Sequence, residues 1–215
     1  MQPSLPKRLI LASQSPRRRE LLTEAGYKFE VISPGPFAEC GICSRETPPE
    51  MVARLARQKA GDVAASLGAK LDASVGNKLD ANVGNNLDAN LSERIVIGCD
   101  TVAECCGHVL GKPKNRDHAR EMLQMMRGRE HSVYSGLCLW HWPQDEIHVQ
   151  VDRTRLKMVQ LPDSEIESYL DTDLWEGKAG AFGLQDRLGW IDVVDGSESN
   201  VVGLPMELLE RMLKD

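Results

Sequence analysis

The sequence predicts a single mixed α/β domain, and three stretches carry that prediction. Leu9-Ile10-Leu11-Ala12 is an apolar run that breaks on Ser13-Gln14-Ser15 and passes into a helix at Pro16, a strand handing over to a helix. Arg94 to Val102 reads as a second buried strand that carries an acid, Asp100, at its end. His131 to Trp142 and Ile147 to Val159 are β-rich and flank Pro143-Gln144-Asp145-Glu146, which makes a long hairpin. A chain of 215 residues, 41% hydrophobic and 27% charged, has the size and composition of one globular domain, with room for two lobes.

The remaining elements follow in order. The first helix runs from Pro16 to Ala25 and stops at Gly26, a residue suited to a left-handed cap. Tyr27 to Ser33 is a strand, and Pro34, Gly35 and Pro36 open a loop that carries Glu39. Thr47-Pro48-Pro49-Glu50 is a capping box with prolines where a first turn tolerates them. Behind it Val52, Leu55, Ala56, Lys59, Ala60, Val63 and Leu67 form a stripe of period 3.6, on which Lys59 is out of place. From Leu71 the chain nearly repeats itself every eight residues, with Gly and Asn in each copy. Residues 68–92 are therefore read as a surface-loop insertion within the single domain of residues 1–215. Asn115 caps a helix with Ala119, Met122, Leu123 and Met126 facing inward, and Asp163-Ser164-Glu165 starts another through Leu170. Leu188 to Val194 is a strand, and Pro205 begins the last helix.

Net charge of −6 argues against polynucleotide binding, which demands a basic face, but leaves room for a small basic pocket. No apolar run reaches the roughly 18 residues of a membrane span, and Met1 to Arg8 lacks the apolar centre of a signal peptide. A cytoplasmic protein with no membrane partner is the expectation. Six cysteines include one CxxC at Cys40 and Cys43, and an adjacent pair, Cys105 and Cys106. A zinc site wants two regularly spaced pairs, so free thiols in a reducing compartment are expected. A redox or zinc role for Cys40 and Cys43, controlling the Glu39 loop, stays open at this stage. The five histidines share no metal-ligand spacing and are read as structural or exposed.

The chemistry gathers at strand ends. The turn from Ala12 to Pro16 presents free backbone N–H groups and the positive end of a helix dipole, a ready anion site. On that helix Arg17 lies four residues before Leu21, and Arg18 four before Leu22, so both sit on the core-facing side at its open end. Two inward guanidiniums suit phosphate oxygens. Asp100 leaves a neighbouring strand at the same end of the sheet, where open α/β sheets bind ligands. Val109-Leu110-Gly111-Lys112-Pro113 delivers a second lysine on a constrained loop, and Lys178-Ala179-Gly180-Ala181-Phe182-Gly183-Leu184-Gln185 can bring backbone close to a ligand.

Several of these stretches together resemble one family. Ser13 to Leu22, Gly98-Cys99-Asp100-Thr101-Val102, Gly111-Lys112-Pro113, Lys178 to Gln185, and Ser199-Asn200-Val201-Val202-Gly203-Leu204-Pro205 look like the signatures of the Maf (septum formation) nucleotide pyrophosphatases, in order over about residues 8 to 213. The resemblance implies a fold like the inosine triphosphate pyrophosphatases, an elongated mixed sheet with flanking helices and a cleft between two lobes. It also implies hydrolysis of a nucleoside triphosphate to the monophosphate and pyrophosphate with a divalent metal, Mg2+ or Mn2+. Ser13, Arg17, Arg18, Lys59, Asp100, Lys112 and Gln185 fall on the family's polar site positions, with Ser15 beside them. Glu39 matches its acidic loop residue, although the neighbouring acid often seen there is absent.

Asp100 is the expected proton acceptor, since a strand end holds a carboxylate more rigidly than a loop does, and Glu39 and Asp100 are the expected metal ligands. Lys59 and Lys112 are the expected catalytic cations. The resemblance assigns base choice to three positions. Arg17, Thr101 and Gln185 match the branch acting on dTTP and UTP, whereas a branch for 7-methyl-GTP carries Trp, Gln and Glu there. Gln185 offers a donor and an acceptor to a uracil or thymine edge. The alternative keeps the fold and drops the reaction, leaving a nucleotide-sensing regulator of cell division. Modified pyrimidine triphosphates are within the expected range, and assembly state stays open, a homodimer included.

Overall fold

The computed structural model describes residues 8–39, 45–76, 93–186 and 188–214, apart from the side chains of Phe37, Glu39, Gln185 and residues 70–76. Cys40, Cys43 and residues 77–92 of the repeat lie outside that description. In chain order the elements are β1 (Arg8–Ala12), α1 (Pro16–Glu24), β2 (Phe29–Val31), a 3-10 turn (Pro36–Glu39), α2 (Pro48–Gly76), β3 (Arg94–Cys105), β4 (His108–Leu110), α3 (Arg116–Met126), β5 (Glu130–Trp142), β6 (Glu146–Met158), α4 (Asp163–Leu170), 3-10 turns at Ala179–Ala181 and Leu184–Asp186, β7 (Ile191–Asp195), α5 (Glu198–Val202) and α6 (Met206–Met212).

Among the described residues seven strands form one mixed sheet of order β2-β1-β3-β5-β6-β7, with β4 paired to β3 beside that path. β1 runs parallel to both β2 and β3, and the remaining pairs are antiparallel. This is the mixed α/β sheet with flanking helices that the sequence predicts.

Alternation along the central strands separates two cores. Leu9, Leu11, Ile95, Ile97, Cys99, Leu137 and Leu139 face Leu22 of α1 and Leu208, Leu209 and Met212 of α6. Ile10, Ala12, Val96 and Cys138 face Ala56, Ala60, Val63 and Leu67 of α2. Burying a side chain such as Ile10 or Ile97 fully contributes about 1.5–3 kcal/mol. A third core lies at the far end of the hairpin, where Val133, Leu156 and Met158 pack on α3, on Tyr169 and Leu170 of α4, and on Phe182 and Trp190.

Helix α2 lies unusually close to the sheet, and two glycines allow it. A Cβ at Gly98 of β3 would sit 2.2 Å from the Ala56 carbonyl oxygen, and one at Gly136 of β5 would sit 2.1 Å from that of Val52. The even-numbered residues of β3 face this helix, so Asp100, two positions after Gly98, meets Lys59.

Several boundaries differ from the sequence reading. β2 is shorter than Tyr27–Ser33, and β7 starts at Ile191 and not Leu188. β3 runs past Asp100 to Cys105 because β4 and β5 both pair with it there, so the acid sits within the strand and not at its end. Helix α2 continues to Gly76, into the segment read as loop from residue 68. Ala69, Lys70, Leu71, Ala73 and their neighbours are adequate helix formers, and an established helix extends at the cost of one residue per hydrogen bond. The Gly and Asn of the repeat, on which the loop expectation rests, do not stop a helix already under way at residue 68. α5 and the short β4 also went unread, because five and three residues carry too little periodicity.

The close approach is testable. Gly98→Ala forces α2 away from β3, so we expect a loss of about 2–3 kcal/mol, a Tm lower by roughly 4–12 °C in a thermal melt. An unchanged Tm would show that the helix is free to ride over the strand.

Candidate active site

The cleft opens where the sheet leaves a strand edge bare. β1 pairs with β3 as far as Ala12 and Gly98, and β4 joins β3 only from Ala103 and Leu110. Between these pairings, among the described residues, the 99–102 segment of β3 has no strand on that side. The gap is walled by the β1–α1 turn, by Pro34–Pro36, by Gly111 and Lys112, and by residues 177–183, and it encloses about 870 Å³. A hydrogen bond from Gly180 N to Gly111 O, 3.1 Å, ties two of these walls together.

Asp100 and Lys59 form the ionised pair on the α2 side. Lys59 Nζ donates to Asp100 Oδ1 at 2.7 Å, and both side chains are largely buried. Asp100 Oδ2 accepts no hydrogen bond among the described residues, and the residue lines the cleft. Its remaining lone pairs are therefore open to a water or a hard cation. The lysine that was out of place on the apolar stripe is there to meet this carboxylate.

Arg18 occupies the opposite face of β3. Its Nε donates to Gly203 O at 2.7 Å, Nη1 to Cys99 O at 2.8 Å and Ser13 Oγ at 3.3 Å, and Nη2 to Thr101 Oγ1 at 3.2 Å. Four of its five N–H donors are thus taken by the protein. Its contacts bind α1, β3 and the end of α5 into one unit. No carboxylate pairs with it among the described residues, although it is 9% exposed. The free clamp suggested by helical spacing is instead a buried cation with one N–H to spare.

Thr101 stands behind Arg18. Its hydroxyl lies 2.8 Å from Ser135 Oγ and donates to Gly203 O at 3.2 Å. Ser13 Oγ accepts from Ser15 N at 3.1 Å, which shapes the turn. Ser15 is the N-cap of α1 but makes no side-chain cap, and Pro16 follows, so the first N–H groups of this helix stay open to an anion.

Arg17 is the less committed guanidinium. Its one described hydrogen bond reaches Gly177 O at 3.4 Å. Burial, and after it the charge of Arg18, push the Arg17 guanidinium below its ordinary value, an imbalance that an anion in the cleft would relieve. Lys112 is exposed at the mouth, on the turn tied to Gly180.

The loop from Gly177 to Asp186 was legible as glycine-rich, but its internal bonding was not. Lys178 pairs with Asp186, a contact between charges in irregular chain that no periodicity reveals. His131, expected to be structural or exposed, is buried in the inner wall, where Nδ1 has no partner and burial pushes its pKa down. The side chains of Glu39 and Gln185 lie outside the described residues. Their backbones belong to the 3-10 turns at Pro36–Glu39 and Leu184–Asp186.

Among the described residues no group of three His, Cys, Asp or Glu could hold a metal ion. Among the described residues that line the cleft Asp100 is the one carboxylate, the donor type that Mg2+ and Mn2+ prefer.

The Maf-like protein family model matches residues 8–215. A protein of Rhodopirellula baltica named dTTP/UTP pyrophosphatase is 49% identical over 98% of this chain and 82% of its own length. Two others of that name, from Geotalea uraniireducens and Dictyoglomus thermophilum, are 38% and 35% identical over 92% and 96% of the chain, and over 89% and 95% of their own lengths.

The two arginines should separate in a stability assay. Arg18→Lys leaves buried acceptors at Cys99, Gly203 and Thr101 short of a donor, so urea denaturation is expected to show a loss of about 2–4 kcal/mol. Arg17→Lys is expected to stay within about 0.5 kcal/mol of the parent. Equal losses in both would contradict the assignment of Arg18 to the framework and Arg17 to the cleft.

Proposed function

We propose that this chain, which belongs to the Maf-like protein family, hydrolyses dTTP and UTP to the nucleoside monophosphate and pyrophosphate. The observation that carries the reading is the Lys59–Asp100 pair on the bare edge of β3, facing Arg17, Lys112 and the open N-terminus of α1.

Attack of water on the α-phosphorus needs a proton acceptor and cations that neutralise both the attacked phosphate and the leaving pyrophosphate. Asp100 is the acceptor, and its pairing with Lys59 fixes Oδ1 so that Oδ2 can take the water proton. Arg17, the α1 N–H groups and Ser15 bind phosphate oxygens, with Arg18 and Ser13 holding that turn in place. Lys112, free to swing at the mouth, stabilises the charge on pyrophosphate as it leaves. A divalent cation, Mg2+ or Mn2+, would be held by Asp100 and Glu39 and would supply further neutralisation of phosphate charge. Arg17, Thr101 and Gln185 set the preference for a pyrimidine base, Thr101 by steadying Arg18 and Gln185 by pairing with the base edge. One nucleotide at a time in the cytoplasm, with no polynucleotide partner, suits an acidic protein with a small basic cleft.

Pyrophosphate release from a panel of triphosphates tests this. Turnover should be greatest with dTTP and UTP, and Asp100→Asn should lower it by ~10²–10⁴-fold while the protein remains folded by circular dichroism. Turnover within a few-fold of the parent would move the acceptor role elsewhere, to Glu39 first.

A further inference from the structure

Asp186 is a buried carboxylate, its side chain 4% exposed, that no step above uses. It accepts from three donors drawn from different parts of the fold. Lys178 Nζ reaches it from the start of the cleft loop, Tyr169 Oη from α4 at 2.8 Å, and Gly183 N from the middle of the loop at 3.2 Å. Tyr169 Oη also lies 3.2 Å from Ala181 O, beside two residues of positive φ, Gly180 and Ala181. The tyrosine ring is itself fixed, packed against Phe182 and Trp190 at 5.5 and 5.3 Å between centroids. A tyrosine hydroxyl is protonated at neutral pH, and burial pushes this one further above its usual range.

A buried ion pair is a costly way to hold a loop. Desolvating two charges consumes most of their attraction, and apolar packing of the same volume often stabilises as well or better. What such a pair adds is fixed geometry. Here that geometry is imposed on Leu184–Asp186, the turn that contains Gln185. The charge of Asp186 also acts on Arg17, which bonds to Gly177 O at the start of the same loop.

We infer that Tyr169, Asp186 and Lys178 are positioning residues for base selection. They clamp the Leu184–Asp186 turn in one conformation, which fixes the backbone from which Gln185 projects. A looser turn lets Gln185 adapt to other bases, and discrimination falls faster than turnover. The inference rests on Gln185 reading the base, as proposed above.

The test compares kcat/KM for UTP and GTP in the parent and in Tyr169→Phe, which removes the hydroxyl and keeps the ring packing. The UTP-to-GTP ratio is expected to fall at least about fivefold, the effect of one lost hydrogen bond to a charged group. A merely structural role lowers both substrates together and leaves the ratio where it was, which would overturn the inference. In a second pair, Lys178→Met is expected to lower the ratio and Lys178→Arg to restore most of it. Equal ratios in these two would also overturn it. A parent enzyme without pyrimidine preference would instead refute the proposed function, so the two failures are distinguishable.

Discussion

The cleft depends on how near α2 lies to the sheet. Side chains on a helix and a strand ordinarily hold the two backbones well apart, and a wider gap would leave a lysine on the helix short of a carboxylate on the strand. With no side chain at Gly98 or Gly136, the carbonyls of Ala56 and Val52 rest almost on the strands. Lys59, one turn beyond Ala56, then meets Asp100 at hydrogen-bond distance, with both side chains largely buried. Packing density, not sequence proximity, makes the ion pair.

The opposite face of β3 follows another logic. Arg18 is buried with its N–H groups on main-chain carbonyls and hydroxyls, and among the described residues no anion balances it. A buried cation satisfied in hydrogen bonding but not in charge leaves a positive field in the cleft. The open N-terminus of α1 and the guanidinium of Arg17 add to that field. An acidic protein thereby keeps one small basic volume, of a size for a single nucleotide.

Much of this was legible in the residues. The strand-to-helix handover at Ser13–Pro16 and the apolar stripe of α2 with its misplaced lysine are local patterns with a physical cause, and each sits where its pattern implies. The acid of β3 is on the expected strand but in its middle, since β3 runs on to Cys105. Long-range bonding was not legible. Spacing can turn Arg18 inward, but cannot say that the carbonyls of Cys99 and Gly203, far along the chain, reach its donors before a ligand does. Asp186 and Lys178 belong to irregular chain, where no period marks which charges will be buried together. The repeat misled for a related reason. Its glycines and asparagines weaken a helix, yet α2 is already nucleated on the sheet and runs on to Gly76.

The central claim is that a water oriented by Asp100 attacks the α-phosphorus of a pyrimidine triphosphate. Hydrolysis of UTP in water enriched in heavy oxygen, followed by mass spectrometry of both products, tests it most directly. The heavy oxygen should appear in UMP, with none in pyrophosphate. Label in the pyrophosphate, or release of orthophosphate in its place, would contradict the account.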